Sequence, residues 1–553
     1  MIYAFGDYRL DSTRFQINRD TETLPVEPQV LELLITLIEN RDHVVTRDEL
    51  LEKVWKGRVV SDTTLSSRIK SARRTIGDDG IRQAWIRTVH GRGFRFVGPV
   101  VEVSDDPTDA GDRSLGSAMQ NRPDTRYARS GETHIAYHLF GDGPVNLVMM
   151  PGFVSHIDNY WDQPELSRYL RRIGSGARVA MFDKRGTGLS DKVEALPGMD
   201  ERMDDVRAVM DAAGFDTAYL MGVSEGGSLA TLFAAYHPER CDGLILYGAF
   251  AQFRHWFPDE AALQKLFDYI KSEWGSGRSL PNFAPNFADD PALIHWWGKF
   301  ERLGATPGAA MTLMRMNSRI DISDVLSSVR VPTLVIHRIG DALIDVEGGR
   351  QLAAGIPGAR YLELAGADHL PFLGDNTDEI IGAILGFLDR PATPARVDRV
   401  LATILLIRFG TAPDPRRSDT VLDEVEARMR RYRPDRIRFE PPVLVATFDA
   451  PARALECAHL ASTLLRVRNV EHRVGVHAGE IDPGDDKLED MAVRIASDIA
   501  GHARSNEVLA SRTIHDLVAG SDVELQDFGE FALPSIGQAW RLYHLLRRRN
   551  NPD

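Results

Sequence analysis

Residues 221–227 read MGVSEGG, a serine with a glycine two positions away on either side. The run AYLMG before it is strand-like, and GGSLATLFAAYHP after it is helix-like and apolar. Small residues around a strand-to-helix turn let the Ser224 hydroxyl stand exposed on a strained elbow. A hydroxyl attacks a carbonyl effectively only when a base takes its proton and a third group orients that base. Downstream, VPTLVIHRIGDALID is an apolar strand reaching Asp341, and ARYLELAGADHLPFLGD is a strand followed by a loop carrying His369. In this set His369 takes the proton from Ser224 and Asp341 holds the imidazole tautomer. Asp345 and Asp368 stand nearby as alternative acids. The backbone N–H groups of Phe153, after the buried strand VNLVMM, and of Glu225 are the expected donors to an oxyanion. The chemistry these residues imply is acyl transfer.

A second constellation points to a different partner. The segment VSDTTLSSRIKSARRTIGDD sets Leu65, Ile69, Ala72 and Ile76 at helical spacing on one face. The opposite face carries Thr63, Ser67, Lys70, Ser71 and Arg74, short hydroxyls mixed with long cations that can reach base edges and phosphates in a major groove. Arg73 is expected to be an ordinary solvated cation. WIRTVHGRGFRFVG then alternates apolar and polar residues around a hairpin tip at Arg92. The formal net charge of the chain is −14, yet residues 41–100 hold thirteen Lys and Arg against seven Asp and Glu. A basic module in an acidic chain is the footprint of a nucleic-acid partner.

At 553 residues the chain exceeds what one core can serve. Polar, acidic and Pro/Gly-rich stretches at 101–124 and 389–398 read as linkers, dividing it into domains at 1–100, 125–388 and 399–549. No run is long and apolar enough to span a bilayer, and MIYAFGDYRLD lacks the pattern of a signal peptide. The two cysteines, Cys241 and Cys457, are far apart and suggest neither a disulfide nor a metal site. A cytoplasmic protein with no cofactor and no membrane partner is expected.

The first 95 or so residues, including PQVLELLITLIENRDHVVTRDELLEKVW and VHGRGFRFVG, resemble the OmpR/PhoB family of winged helix-turn-helix regulators, in its CadC-like branch. That resemblance implies an α+β winged helix, promoter DNA as partner, a recognition helix from about residue 61, and Arg92 on the wing. Residues 125–388 resemble the α/β-hydrolase superfamily through GVSEGG, FDKRGTGLSD and GADHLPFLGD, in the chain order Ser, Asp, His. A mostly parallel sheet follows from it. So does a helical cap at about 250–320, where Trp256, Trp296 and Trp297 line an apolar pocket for a small acyl ligand. From Val400 the chain resembles class III nucleotide cyclase homology domains, with an α+β ferredoxin-like fold. The family's metal-binding carboxylates are replaced there by Arg408 and Pro442, and its transition-state Asn and Arg by Arg494 and Asp498. A non-catalytic, dimerising role is implied, so the expected protein is a homodimer. Two functional readings follow: a one-component transcription regulator that binds, and hydrolyses, an acyl ligand; or a serine hydrolase of esterase or lactonase type with accessory DNA-binding and dimerisation domains.

Overall fold

The computed structural model describes the chain apart from residues 1, 6–7, 12–15, 20–21, 25, 27, 42, 56–61, 79–82, 90–91, 99, 104–121, 193–197, 258, 390–397, 411–414, 485–489, 519–520 and 547–553. Most of both expected linkers therefore lies outside the described residues. The chain divides into two compact units, Met1–Gln120 and Asn121–Asp553.

In the first unit, helices Pro28–Glu39, Arg47–Trp55 and Asp62–Thr75 pack with a three-stranded sheet whose order is Val45–Thr46, Gly93–Phe96, Ile86–Val89. A separate antiparallel sheet of five strands runs from Glu22–Thr23 to Val101–Val103, the last strand pairing with Ile2–Phe5. The first unit thus extends past the boundary expected at residue 100. The apolar stripe of Leu65, Ile69, Ala72 and Ile76 is buried in its core.

The second unit holds an eight-stranded sheet. Its six strands from Arg360–Leu364 through Ala177–Phe182 are parallel, with Ala218–Val223 between Cys241–Tyr247 and Val145–Met150; Thr133–Phe140 and Arg126–Ser130 are added antiparallel at one edge. The central strands are near-continuous apolar runs because helices cover both faces. Helices Glu260–Ser272, Leu280–Phe283, Pro291–Gly304 and Pro307–Asn317 interrupt the alternation after the strand Cys241–Tyr247, within the span expected to form a cap.

Residues from Val400 build a seven-stranded sheet, ordered Arg436–Glu440, Val443–Phe448, Val400–Phe409, His472–Ile481, Val508–Ser511, Gln538–Leu545, Leu525–Leu533. This portion shares one continuous core with the parallel-sheet portion, and Leu401, Leu405 and Leu455 belong to the same buried cluster as Leu232 and Val325. The helix Gly226–Tyr236 explains part of that continuity. It is apolar on every side, buried at every position, and ends with the Tyr236 hydroxyl 3.1 Å from Thr403 Oγ1. A helix without a polar face needs cover all round, and the later sheet helps supply it.

Candidate functional site

The strand Ala218–Val223 and the helix Gly226–Tyr236 meet at Ser224, whose φ is 55°, in the left-handed region that non-glycine residues rarely adopt. The turn closes because its neighbours are glycine. A Cβ on Gly222 would lie 2.4 Å from Gly227 Cα, and one on Gly226 would lie 2.4 Å from the Met150 carbonyl oxygen. That second approach presses the Pro151–Phe153 loop against the first turn of the helix. The backbones of Phe153 and Glu225 are thereby brought onto neighbouring elements, and a Cβ on Gly152 would stand 3.7 Å from Ser224 Oγ.

His369 and Asp341 come from the ends of adjacent parallel strands. His369 Nδ1 is 2.7 Å from Asp341 Oδ2, while Asp341 Oδ1 accepts the Leu343 and Ile344 amides at 2.9 and 3.0 Å. Burial pushes the Asp341 carboxyl up, but the charge and hydrogen bond of His369, together with His337 and the amides, outweigh it and hold the group below its ordinary value. An ionised Asp341 accepts, so Nδ1 carries the proton and Nε2 is the basic nitrogen. His369 Nε2 is buried and has no hydrogen-bond partner among the described residues, and His369 and Ser224 line one cavity. The alternative acids are engaged elsewhere. Asp368 accepts the backbone and side-chain N–H groups of Asn286, and Asp345 caps the helix Val346–Gly355.

The cavity has a volume of about 510 Å³. Trp256, Trp296 and Trp297 all line it, at 4, 8 and 5 % exposure, and each also packs within the cap. Trp296 Nε1 donates to the Asn159 carbonyl and Trp297 Nε1 to Ser279 Oγ, so both rings are fixed in place.

Three positions that the sequence did not single out support this arrangement. Lys184 donates to both the Gly152 carbonyl and the Glu225 carboxylate, and Arg202 Nη2 lies 2.6 Å from the other Glu225 oxygen. All three side chains are at most 3 % exposed. Burial would raise the Glu225 carboxyl, but the two cations prevail and hold it below its ordinary value, while burial lowers the Lys184 ammonium to about 8. The network ties together the two loops that carry the Phe153 and Glu225 amides. Arg338, almost wholly buried, donates to the carbonyls of Asp368, Leu370 and Leu373 and so braces the loop around His369. The partners are distant in sequence, so no local spacing announces them.

Arg202 belongs to the helix Met199–Ala213, which also faces the C-terminal portion. Asp200 accepts the Ala452 and Arg453 amides at 2.7 and 3.2 Å, and Arg207 pairs with Asp449 at 3.0 Å. Burial raises the Asp200 carboxyl to about 7. A carboxyl with a raised folded-state pKa binds its proton more tightly when folded, so its contribution is largest in mild acid. That contribution is lost as pH rises from about 4 to 7, by up to roughly 4 kcal/mol. Asp200→Asn keeps an acceptor without the charge. The thermal midpoint of the variant, scanned from pH 5 to 8, is expected to fall less with rising pH than that of the parent; parallel profiles would refute the assignment.

In the first unit Ser67, Lys70 and Arg74 are exposed and Ser71 is half-buried on the helix Asp62–Thr75; the side chain of Thr63 lies outside the described residues. Arg92 is exposed between the hairpin strands. Among the described residues no ion pair engages Lys70, Arg74 or Arg92. Arg73 departs from expectation: it donates to the Ile86 carbonyl at 2.8 Å and to Thr88 Oγ1 at 2.9 Å, pinning the helix to the hairpin. Its position a few ångströms from a strand with an available carbonyl, not its charge, decides its role.

In the C-terminal portion Arg408 donates to Ser497 Oγ at 2.5 Å, and Asp498 accepts the Ser535 amide at 2.8 Å. Among the described residues no group of three or more His, Cys, Asp or Glu could hold a metal ion, and no helix is long and apolar enough to cross a membrane.

Comparison with known proteins agrees with these two architectures. A family described as alpha/beta hydrolase fold matches residues 145–319, and one described as transcriptional regulatory protein, C terminal, matches residues 21–96. The candidate carbamate hydrolase RutD of Caulobacter sp. (strain K31) is 26 % identical over 284 residues, covering 48 % of this chain and 99 % of RutD. The transcriptional activator CadC of Escherichia coli (strain K12) is 29 % identical over 106 residues, 19 % of this chain and 21 % of CadC. A solved structure, the enol-lactonase from Burkholderia xenovorans LB400, is 23 % identical and covers 48 % of this chain and 100 % of its own, with a TM-score of 0.41. The chain is a transcription-regulator DNA-binding domain fused to an α/β-hydrolase domain. Its hydrolase relatives support hydrolase chemistry in the second of these.

Proposed function

We propose that the protein is a cytoplasmic one-component transcription regulator, in which the winged helix binds promoter DNA and the hydrolase domain binds and hydrolyses a small acyl ligand. The observation that carries this reading is that one chain holds an exposed cationic helix face, with Lys70 and Arg74 on it, and a serine–histidine–aspartate set beneath an apolar cap. Ser67, Lys70, Ser71 and Arg74 contact the major groove, together with Thr63, and Arg92 contacts the backbone or minor groove. Ser224 Oγ attacks the ligand's carbonyl carbon as its proton passes to His369 Nε2, and the Phe153 and Glu225 amides hold the oxyanion. The carbon–oxygen bond to the leaving alcohol then breaks and His369 returns the proton to that oxygen. Water attacks the acyl-serine by the reverse proton route, releasing the acid and restoring Ser224.

The modules on this reading follow the expected 1–100, 125–388 and 399–549, with the strand Val101–Val103 joined to the first. The last is a degenerate class III cyclase homology domain; the order of its first four strands, with Val400–Phe409 and Val443–Phe448 inside Arg436–Glu440 and His472–Ile481, is the ferredoxin-like one. With Arg408 and Pro442 in place of carboxylates it serves dimerisation, so a homodimer reads two half-sites about one helical turn apart. The second reading, a serine hydrolase with a DNA-binding address, is favoured by the buried Asp341–His369 pair, which ligand binding alone does not require.

The test is binding of the full chain to the DNA upstream of its own gene, titrated against salt. Arg74→Ala is expected to weaken binding by about 1–3 kcal/mol and to reduce the salt slope by about one, with an unchanged thermal midpoint. Arg73→Ala should instead lower the thermal midpoint of the first unit. Binding that is insensitive to both salt and Arg74→Ala would overturn the DNA-binding assignment.

A further inference from the structure

The walls of the cavity above Ser224 restrict what it can hold. They are built mainly from aromatic and aliphatic side chains, among them Trp256, Phe257, Trp274, Trp297, Phe300 and Phe372. Among the described residues, besides His369, three charged residues reach the lining: Lys265, Arg278 and Glu301. The Lys265 side chain is exposed, and Arg278 is 75 % exposed and pairs with Glu273 at 2.9 Å, so both cations stand at the rim in water.

Glu301 is the buried one, at 1 % exposure, and its oxygens are already occupied. They accept from Tyr269 Oη at 2.7 Å, Ser279 Oγ at 2.5 Å, and the Gly275 and Gly277 amides at 2.9 and 3.1 Å. This carboxylate fastens the cap and has nothing left to offer a ligand cation. Among the described residues a ligand carboxylate or phosphate would find no buried cation in the lining to pair with and a fixed anion nearby, the arrangement that makes burial of charge most costly. A polyol fares less well, since each hydroxyl taken from water needs a partner and, besides His369, the buried unpartnered polar atoms of the described lining are Tyr169 Oη and Trp256 Nε1.

We propose that the site takes an uncharged ester or lactone whose acyl part is a long aliphatic or aromatic group seated beneath the cap. The proposal rests on the reading of Ser224 as an acyl nucleophile. A cavity of about 510 Å³ far exceeds an acetyl group, and its walls gain from every apolar atom that replaces water. Acyl-chain length is therefore expected to tune specificity.

The experiment compares 4-nitrophenyl esters from acetate to octanoate on the full chain, with the mono-4-nitrophenyl ester of octanedioic acid as an anionic match for octanoate. The expected result is kcat/KM rising about fourfold per added methylene and an anionic ester at least tenfold poorer than octanoate. A series that is flat or best at acetate, or an anionic ester equal to octanoate, overturns the proposal. A second arm titrates the tryptophan fluorescence of the Ser224→Ala chain with methyl octanoate and methyl acetate, and a saturable change is expected with the octanoate alone. If no ester is turned over but octanoate still binds, the nucleophile fails and the ligand class stands. If octanoate binds no better than acetate, the ligand class fails.

Discussion

Ser224→Ala is expected to reduce the turnover of acyl esters by three orders of magnitude or more, with the thermal midpoint of the protein unchanged. Removal of a serine nucleophile from a serine–histidine–aspartate set forfeits the covalent route and leaves only the residual help of the oxyanion donors and of binding. The fold should tolerate the change because Ser224 is held by its backbone: its amide donates to the Tyr247 carbonyl at 2.9 Å, and alanine retains that bond. Ester hydrolysis measured on both chains checks the prediction. A fluorophosphonate should label the parent and spare the variant, and repeating the labelling with bound promoter DNA would read whether the two units communicate. Equal turnover by parent and variant would eliminate Ser224 as nucleophile.

Glu225→Gln is the second large expected effect, and it acts through an electrostatic knot. The substitution leaves Lys184 and Arg202 buried without their shared anion. Stranding buried charge in this way costs about 3–5 kcal/mol, far more than an intact pair contributes over an apolar replacement. A fall of several degrees in the thermal midpoint of the second unit is expected, together with a lower kcat as the Pro151–Phe153 loop loses its tie to the helix. Lys184→Met added to Glu225→Gln should recover part of the stability, because one of the stranded cations is then gone. A thermal midpoint within a degree of the parent for Glu225→Gln would mean that water reaches these groups and the knot is slack.

The contrast between Ser224 and Glu225 shows what was legible in the sequence. The strained turn, the strand before it and the helix after it are local features, encoded within a dozen residues by glycine spacing and apolar runs. The stripe of Leu65, Ile69, Ala72 and Ile76 was readable for the same reason, since helical period needs only neighbours. Asp341 and His369 were readable from their places at strand ends. The Glu225 side chain was not, because its partners at 184 and 202 are joined to it only through the sheet. Arg338 likewise looks like any cation at the end of a strand until the carbonyls of residues 368–373 close around it. Arg73 and Arg74 are adjacent and chemically identical, and only the position of the hairpin separates the one that pins the fold from the one left exposed. The packing of the C-terminal portion onto the hydrolase portion was hidden for a further reason: the Pro-rich stretch at 389–398 suggests separation, whereas the helix Gly226–Tyr236, apolar all round, was the sign that cover was needed.

The helix Met199–Ala213 has a bearing on how such a chain can be inherited. At its start Asp200 caps the first turn of Pro451–Val467, and two residues on Arg202 completes the charge set beside Ser224. A recombination event that separated the coding segments of the two portions would leave a buried carboxylate without its amides and a buried tyrosine without Thr403, close to the residues that surround Ser224. Descendants that kept Ser224 and discarded the rest would start from a damaged scaffold. The contacts of the later sheet bind its inheritance to that of the hydrolase portion it supports.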